Sequence, residues 1–117
     1  MPEPAVSKTL TLSVERDDAI AVVRCSGRLV AGASDRFYSE LRQLAPQCKR
    51  IVLDFKELTH MDSTGIGTLV RLYVSAKSAG CALQLMNTGP SIRQLLGITH
   101  LVSVLQFIGE NNIRMGP

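Results

Sequence analysis

Tryptophan is absent from this chain of 117 residues, and the aromatic set is only two tyrosines and three phenylalanines. The basic residues, among them Arg36, Arg42, Lys49, Arg50, Arg71, Lys77 and Arg93, are scattered, and only Lys49 and Arg50 are adjacent. That pattern gives +3 net charge without a basic cluster, so with so few aromatics the charge reads as a solvated face and no nucleic-acid partner is expected. Cysteine is sparse too. Cys25, Cys48 and Cys81 stand far apart with no CxxC pair, which argues against a disulfide framework and fits a reducing, cytoplasmic setting. Cys25 and Cys81 lie in apolar stretches, where a thiol acts as a small core residue. There are two histidines, His60 and His100, without cysteine or carboxylate spacing around them, so no metal site is expected. Long hydrophobic runs are missing. Near the start, Ala19 to Val23 is the longest, far too short to span a membrane, and Met1-Pro2-Glu3-Pro4 lacks the basic-then-apolar form of a signal peptide.

What remains is one domain's worth of ordinary globular sequence, 45% hydrophobic and 20% charged. Residues 1–8 read as a loose tail. Leu10, Leu12 and Val14 alternate with polar residues as a half-buried strand, and Ala19 to Ser26 forms a second. The Asp17-Asp18 gap is too short for a helix, so the two make an antiparallel hairpin ending at Gly27. Ser34 is a suitable N-cap for a helix carrying Phe37, Leu41 and Leu44, which Pro46 stops. Ile51 to Phe55 is a short buried strand, and Leu58 to Met61 connects it to the next helix. In that helix Ile66, Leu69, Val70, Tyr73 and Ala76 share one face, and Gly80 ends it. Cys81 to Met86 is another strand. Pro90 opens a third helix with Ile92, Leu95 and Leu96 inside and Gly97 at its end. Val102 to Phe107 is a last strand or a short helix, and Asn111 to Pro117 a tail. The order β-β-α-β-α-β-α-(β) predicts a single α/β domain over residues 1–117, with its core at about 9–108. Its mixed sheet begins with a hairpin, and its βαβ unit is right-handed.

The informative stretch is Asp62-Ser63-Thr64-Gly65-Ile66-Gly67, where a helix starts just after a strand. Free backbone N–H groups and the positive end of the helix dipole meet there. On local chemistry alone, Asp62-Ser63-Thr64 reads first as a capping cluster, with Asp62 or Ser63 as the cap. Gly65 and Gly67 allow the first turn to pack closely against a sheet or a partner. Dinucleotide binding fails: the third glycine position is Val70, and no acidic residue follows about twenty residues on. A phospho-aspartate receiver would use a strand-end aspartate such as Asp54, but it would not begin with a hairpin, so Asp54 reads as structural. A hydrolase lacks its Gly-x-Ser-x-Gly elbow and an oriented histidine; His60 reads as a surface or satisfied histidine.

The wider pattern resembles the STAS family, the sulfate transporter and anti-sigma factor antagonist domains. The residues that carry the resemblance are Ile51-Val52-Leu53-Asp54-Phe55, Met61 to Gly67, the strand end Ser26-Gly27-Arg28-Leu29, and Pro90 to Ile98. It covers about residues 9 to 108. It implies a non-enzymatic protein with no cofactor, an anti-sigma factor antagonist that binds an anti-sigma factor so that a sigma factor is released. The anti-sigma factor doubles as an ATP-dependent serine kinase, and phosphorylation switches binding off. Carried onto this chain, the acceptor is Ser63, with Thr64 as fallback and Asp62 in support. Partner contacts are expected from Leu58, His60, Met61 and Val30. Such antagonists often carry an acidic residue where this chain has Val30. Leu58, Met61 and Ile66 flank Ser63 and serve either as a docking surface or as the floor of the core. The alternative role is a non-switching structural STAS subunit of a stress-signalling scaffold or a lipid-transport complex. Monomer and homodimer both stay open.

Overall fold

The computed structural model describes residues 9–90, 92–94 and 106–108. Strand β1, Leu10–Asp17, and strand β2, Ile20–Leu29, form the expected antiparallel hairpin, with Asp17 opposite Ile20. Its two-residue turn places Asp18 at φ +59, a left-handed conformation that aspartate tolerates better than branched residues do. Helix α1, Ser34–Arg42, follows, then a 3-10 turn at Ala45–Gln47 that contains Pro46. Next come β3, Arg50–Asp54, β4, Leu58–Met61, helix α2, Ser63–Ser78, and β5, Ala82–Met86. Residues 90 and 92–94 are helical, with Ile92 buried. Strand β6, Gln106–Ile108, pairs in parallel with β5. The expected tails, Leu95, Leu96, Gly97 and residues 102–105 lie outside the described residues.

The sheet runs β1-β2-β3-β5-β6, and β4 pairs with β2 beside that path. All pairings except the hairpin are parallel. Central β3 is buried on both faces, which is why Ile51-Val52-Leu53 is an unbroken apolar run. The helices pack on the face carrying Val23, Cys25, Ile51, Leu53 and Leu85, where the main core lies. Val52 and Met86, with Ile20 and Val22 against them, form a smaller cluster on the other face.

Four expectations are corrected. First, Leu58–Met61 is a strand and not a plain connection. β2 pairs with β3 from Ile20 to Arg24 and then with β4, Gly27 opposite Leu58; the register shifts between Gly27 and Arg28 and sets Leu29 opposite Met61. Gly27 makes this shift feasible: its φ is +106, and a Cβ there would strike the Thr9 carbonyl oxygen. Second, β2 accordingly runs on to Leu29 and does not stop at Gly27. Third, Ser34 is not the N-cap of α1. Ala33 holds that position without a side-chain bond, while the Ser34 hydroxyl donates back to the Val30 carbonyl at 3.0 Å. Fourth, Val70 faces outward. The inner face of α2 takes Thr68 and Leu72 instead, and Thr68 tolerates burial because its hydroxyl donates to the Thr64 carbonyl at 2.8 Å. The end of α2 is as expected from Gly80. The Cys81 N–H donates to Ala76 O at 2.8 Å and the Gly80 N–H to Lys77 O at 3.1 Å, with Gly80 at φ +78. This double bond pattern closes the helix with glycine in the left-handed position.

Candidate site at the start of helix α2

Because β4 lies beside the end of β2, the chain leaving Met61 runs next to the chain leaving Leu29. Asp62 joins the two. Its backbone N–H points to Leu29 O at 3.4 Å. Its carboxylate accepts from the Gly65 N–H at 2.9 Å through one oxygen and from the Ala31 N–H at 3.1 Å through the other. The first bond is an N-cap; the second fixes the loop that opens α1. Both favour the charged form, so the Gly65 bond first, and the Ala31 bond after it, hold the Asp62 carboxyl below its ordinary range.

The cap is therefore Asp62, and Ser63 is the first residue of the helix. Ser63 is exposed, and among the described residues its side chain takes no hydrogen-bond partner. Thr64 is exposed as well. Gly65 and Gly67 divide the roles foreseen for them. Gly65 is buried, and a Cβ on it would run into the Leu29 carbonyl oxygen, so this glycine lets α2 sit on the end of β2. Gly67 is exposed and a Cβ there would meet nothing within 4 Å. It leaves space on the solvent side, one turn from Ser63.

Leu58, Met61 and Ile66 are buried within the main core, at 7%, 9% and 9% exposure. Of the two roles considered for them, closing the core beneath the loop is the one this burial matches. His60 is exposed and its Nδ1 lies 3.0 Å from the Thr59 hydroxyl, which reaches Gly27 O at 3.0 Å. Val30 is half-buried, and its carbonyl accepts from the backbone N–H groups of Ala33 and Ser34 at 3.0 and 3.2 Å. Val30 thus begins the turn into α1, and the Ala31 N–H beside it belongs to Asp62.

Asp54 sits away from Ser63 in bonding terms. Its Oδ1 accepts from the Lys56 N–H and from Asn87 Nδ2, both at 3.0 Å, and its Oδ2 lies 4.0 Å from Arg24 Nε. These bonds tie the ends of β3 and β5, as the structural reading expects. All three cysteines are free thiols and buried. Among the described residues no group of three His, Cys, Asp or Glu could hold a metal ion, and no helix is long and apolar enough to cross a membrane. The Asp62–Ala31 bond was not foreseeable from spacing: the residues are far apart in the chain, and only the strand that was read as a connection brings them together.

The chain matches the family model described as STAS domain over residues 11–113. It is 28% identical over 98 residues to the anti-sigma F factor antagonist of Paenibacillus polymyxa, an alignment covering 82% of this chain and 84% of that protein. Two solved forms of SpoIIAA share its fold. The unphosphorylated form has a TM-score of 0.65 at 20% identity, covering 75% of this chain and 83% of that one. The phosphorylated form of this Bacillus cell fate determinant has a TM-score of 0.69 at 19% identity, covering 86% and 94%. A sulfate transporter family protein from Wolinella succinogenes has a TM-score of 0.72 at 18% identity, covering 83% of each chain. A family model spanning nearly the whole chain, on a sheet and helix order found in these structures, settles its membership: the chain belongs to the STAS domain family.

Proposed function

We propose that this protein is a cytoplasmic anti-sigma factor antagonist, a non-enzymatic binding protein whose partner is an anti-sigma factor acting as an ATP-dependent serine kinase. Phosphorylation of Ser63 switches the binding off. The observation that carries this reading is the division of labour at the helix start. Asp62 caps α2 and ties down the Ala31 loop, which leaves the exposed Ser63 hydroxyl without a structural duty. Thr64 is the fallback acceptor. His60 of β4 and the Val30 turn after β2, at the ends of the two paired strands that lead to this start, supply partner contacts.

A phosphate on Ser63 adds about −1.5 to −2 charges at pH 7. The helix dipole accommodates it, while the neighbouring Asp62 carboxylate opposes it. The decisive effect is at the interface, because docking a partner over the helix start strips water from the phosphate, at several kcal/mol per buried ion. Each ~1.4 kcal/mol is tenfold in affinity, so binding is lost without refolding. The likeness of this chain to both the unphosphorylated and the phosphorylated forms of SpoIIAA supports a fold that tolerates the modification.

The test is intact-mass analysis of wild type and Ser63→Ala after incubation with ATP and the host's candidate anti-sigma kinases. One added phosphate on the wild type alone is expected. No phosphate with any kinase, together with stable binding to another protein, moves the assignment to a non-switching structural subunit of a stress-signalling scaffold or lipid-transport complex. Val30, where antagonists often carry an acid, is the feature that favours that second reading.

A further inference from the structure

Helix α2 shows solvent a face that the core does not need. Ser63, Gly67, Val70 and Val74 are all exposed, and their spacing aligns them along one side of the helix. Val70 is 37% and Val74 55% exposed. Single exposed valines are ordinary; the setting of these two is not. The Arg71 guanidinium stands 4.2 Å from the centre of the Tyr38 ring, and Arg42 of α1 stands 6.0 Å from the same ring. Lys77 stands 5.9 Å from the Tyr73 ring. Ring contacts of this kind hold cations in place beside the apolar row. From Ser63 to Ser78 the helix carries no acidic residue at all. On α1, Glu40 is engaged by Arg36 at 2.9 Å. At the far end of the row, Arg42, Pro46, Val74 and Ser78 line a shallow groove.

This combination selects among occupants. A second copy fits poorly, since a two-fold pairing would bring the arginines and lysine of both faces together. A lipid surface is met by Trp, Phe or Leu on such helices, and this row offers valine. An acidic amphipathic helix fits both features: its apolar side lies on Val70 and Val74, and its carboxylates meet Arg71, Arg42 and Lys77. We infer that the outer face of α2, from Ser63 to the groove at Val74, docks an acidic amphipathic helix of a protein partner. That partner's identity rests on the antagonist reading, and the surface deepens it. A phosphate on Ser63 sits at one end of the face and repels the carboxylates that the face attracts.

The probe is a synthetic peptide of about 15 residues, near the lower limit for an isolated helix. It carries leucines on one side and glutamates on the other, and a counterpart carries lysine for every glutamate. In amide NMR titrations the glutamate peptide should shift the signals of Val70, Arg71 and Val74. Its affinity for Val74→Glu and for Arg71→Glu should fall at least about tenfold; circular dichroism checks that both variants fold. The lysine peptide should not bind. The inference is overturned if the glutamate peptide leaves those signals in place or both peptides bind alike. It is equally overturned if phosphatidylserine vesicles sediment the wild type but not Arg71→Glu. The mass of kinase-treated protein reports on Ser63 whatever the peptides do, so the switch and the surface stand or fall separately.

Discussion

The Ala31 N–H donates to Asp62 Oδ2 at 3.1 Å, binding the loop after β2 to the first turn of α2. With the second oxygen capping Gly65 at 2.9 Å, one carboxylate holds the two segments that border Ser63. Ser63 thus sits on a start that is braced by its neighbour, and the bracing depends on a charge.

Removing that brace should lower stability in a pH-dependent way. Asp62→Ala loses both acceptors, and Asp62→Asn keeps a single carbonyl oxygen, so Asn should be the milder change. The folded Asp62 carboxyl is held below its unfolded value. Its stabilisation is therefore present above the unfolded pKa, about 3.9, and is lost as pH falls through the lower folded one. Thermal melts should show wild type several degrees above Asp62→Ala at neutral pH. The gap should shrink as pH drops below about 4. A gap that stays constant with pH would mean that the carboxylate charge contributes nothing.

Much of this arrangement is legible in the sequence, and the exceptions share a cause. The hairpin, the apolar run of β3, the glycine stop of α2 and the D-S-T-G start are local patterns, fixed by alternation, capping and turn chemistry. Strand β4 is not: only Leu58 and Met61 of its four residues are buried, and it exists because β2 continues past Gly27 to pair with it. The outward turn of Val70 is hidden for a similar reason. A helical count places it with Ile66 and Leu69, but the position of α1 and the sheet decides which face is inner, and it draws in Thr68 and Leu72. The second bond of Asp62 depends on β4 and so was hidden with it. Ser63, by contrast, is singled out only by the family resemblance, since capping chemistry alone does not choose between it and Asp62.

Asp54 should prove structural. Asp54→Ala leaves the Lys56 N–H and Asn87 Nδ2 without their acceptor at the ends of β3 and β5. Loss of a partner for such groups costs about 1–3 kcal/mol, which urea denaturation measures directly. Acetyl phosphate, which charges receiver aspartates, should add no mass to the wild type. A phosphate appearing on Asp54 would reopen the receiver reading.

The buried thiols make alkaline pH destabilising. Burial pushes the Cys25 thiol strongly up, with the charge of Asp54 adding to it. Burial, and then Cys48, push Cys81 up to about 11. A raised folded pKa means that the stabilisation is complete below the unfolded value and fades as pH rises toward the folded one. For Cys81 that window runs upward from an ordinary thiol value of about 8.5. Urea midpoints of the wild type should decline through this range more steeply than those of Cys81→Ala. In the native state at neutral pH, maleimide labelling of Cys25 should be slow and limited by unfolding. Fast labelling of Cys25 would show that the core opens locally.

The two glycines near the start of α2 separate stability from binding. At Gly65 a methyl group meets the Leu29 carbonyl oxygen, so Gly65→Ala must push α2 off the end of β2. Overpacking of this kind costs about 1–3 kcal/mol, and the urea midpoint should fall accordingly. At Gly67 the added methyl group points into open space, and alanine is the better helix former by about 0.8–1.0 kcal/mol. Gly67→Ala should therefore raise the midpoint. If a partner packs on the row that runs from Ser63 through Gly67 to Val74, the same methyl group lies in its path. Gly67→Leu, bulkier and still exposed, should then fold normally and bind the anti-sigma factor proposed as partner at least about tenfold more weakly, as calorimetric titration would measure. A variant that is stable and also binds at full strength would place the partner elsewhere on the protein. A variant that is stable and impaired ties recognition to the open side of this helix.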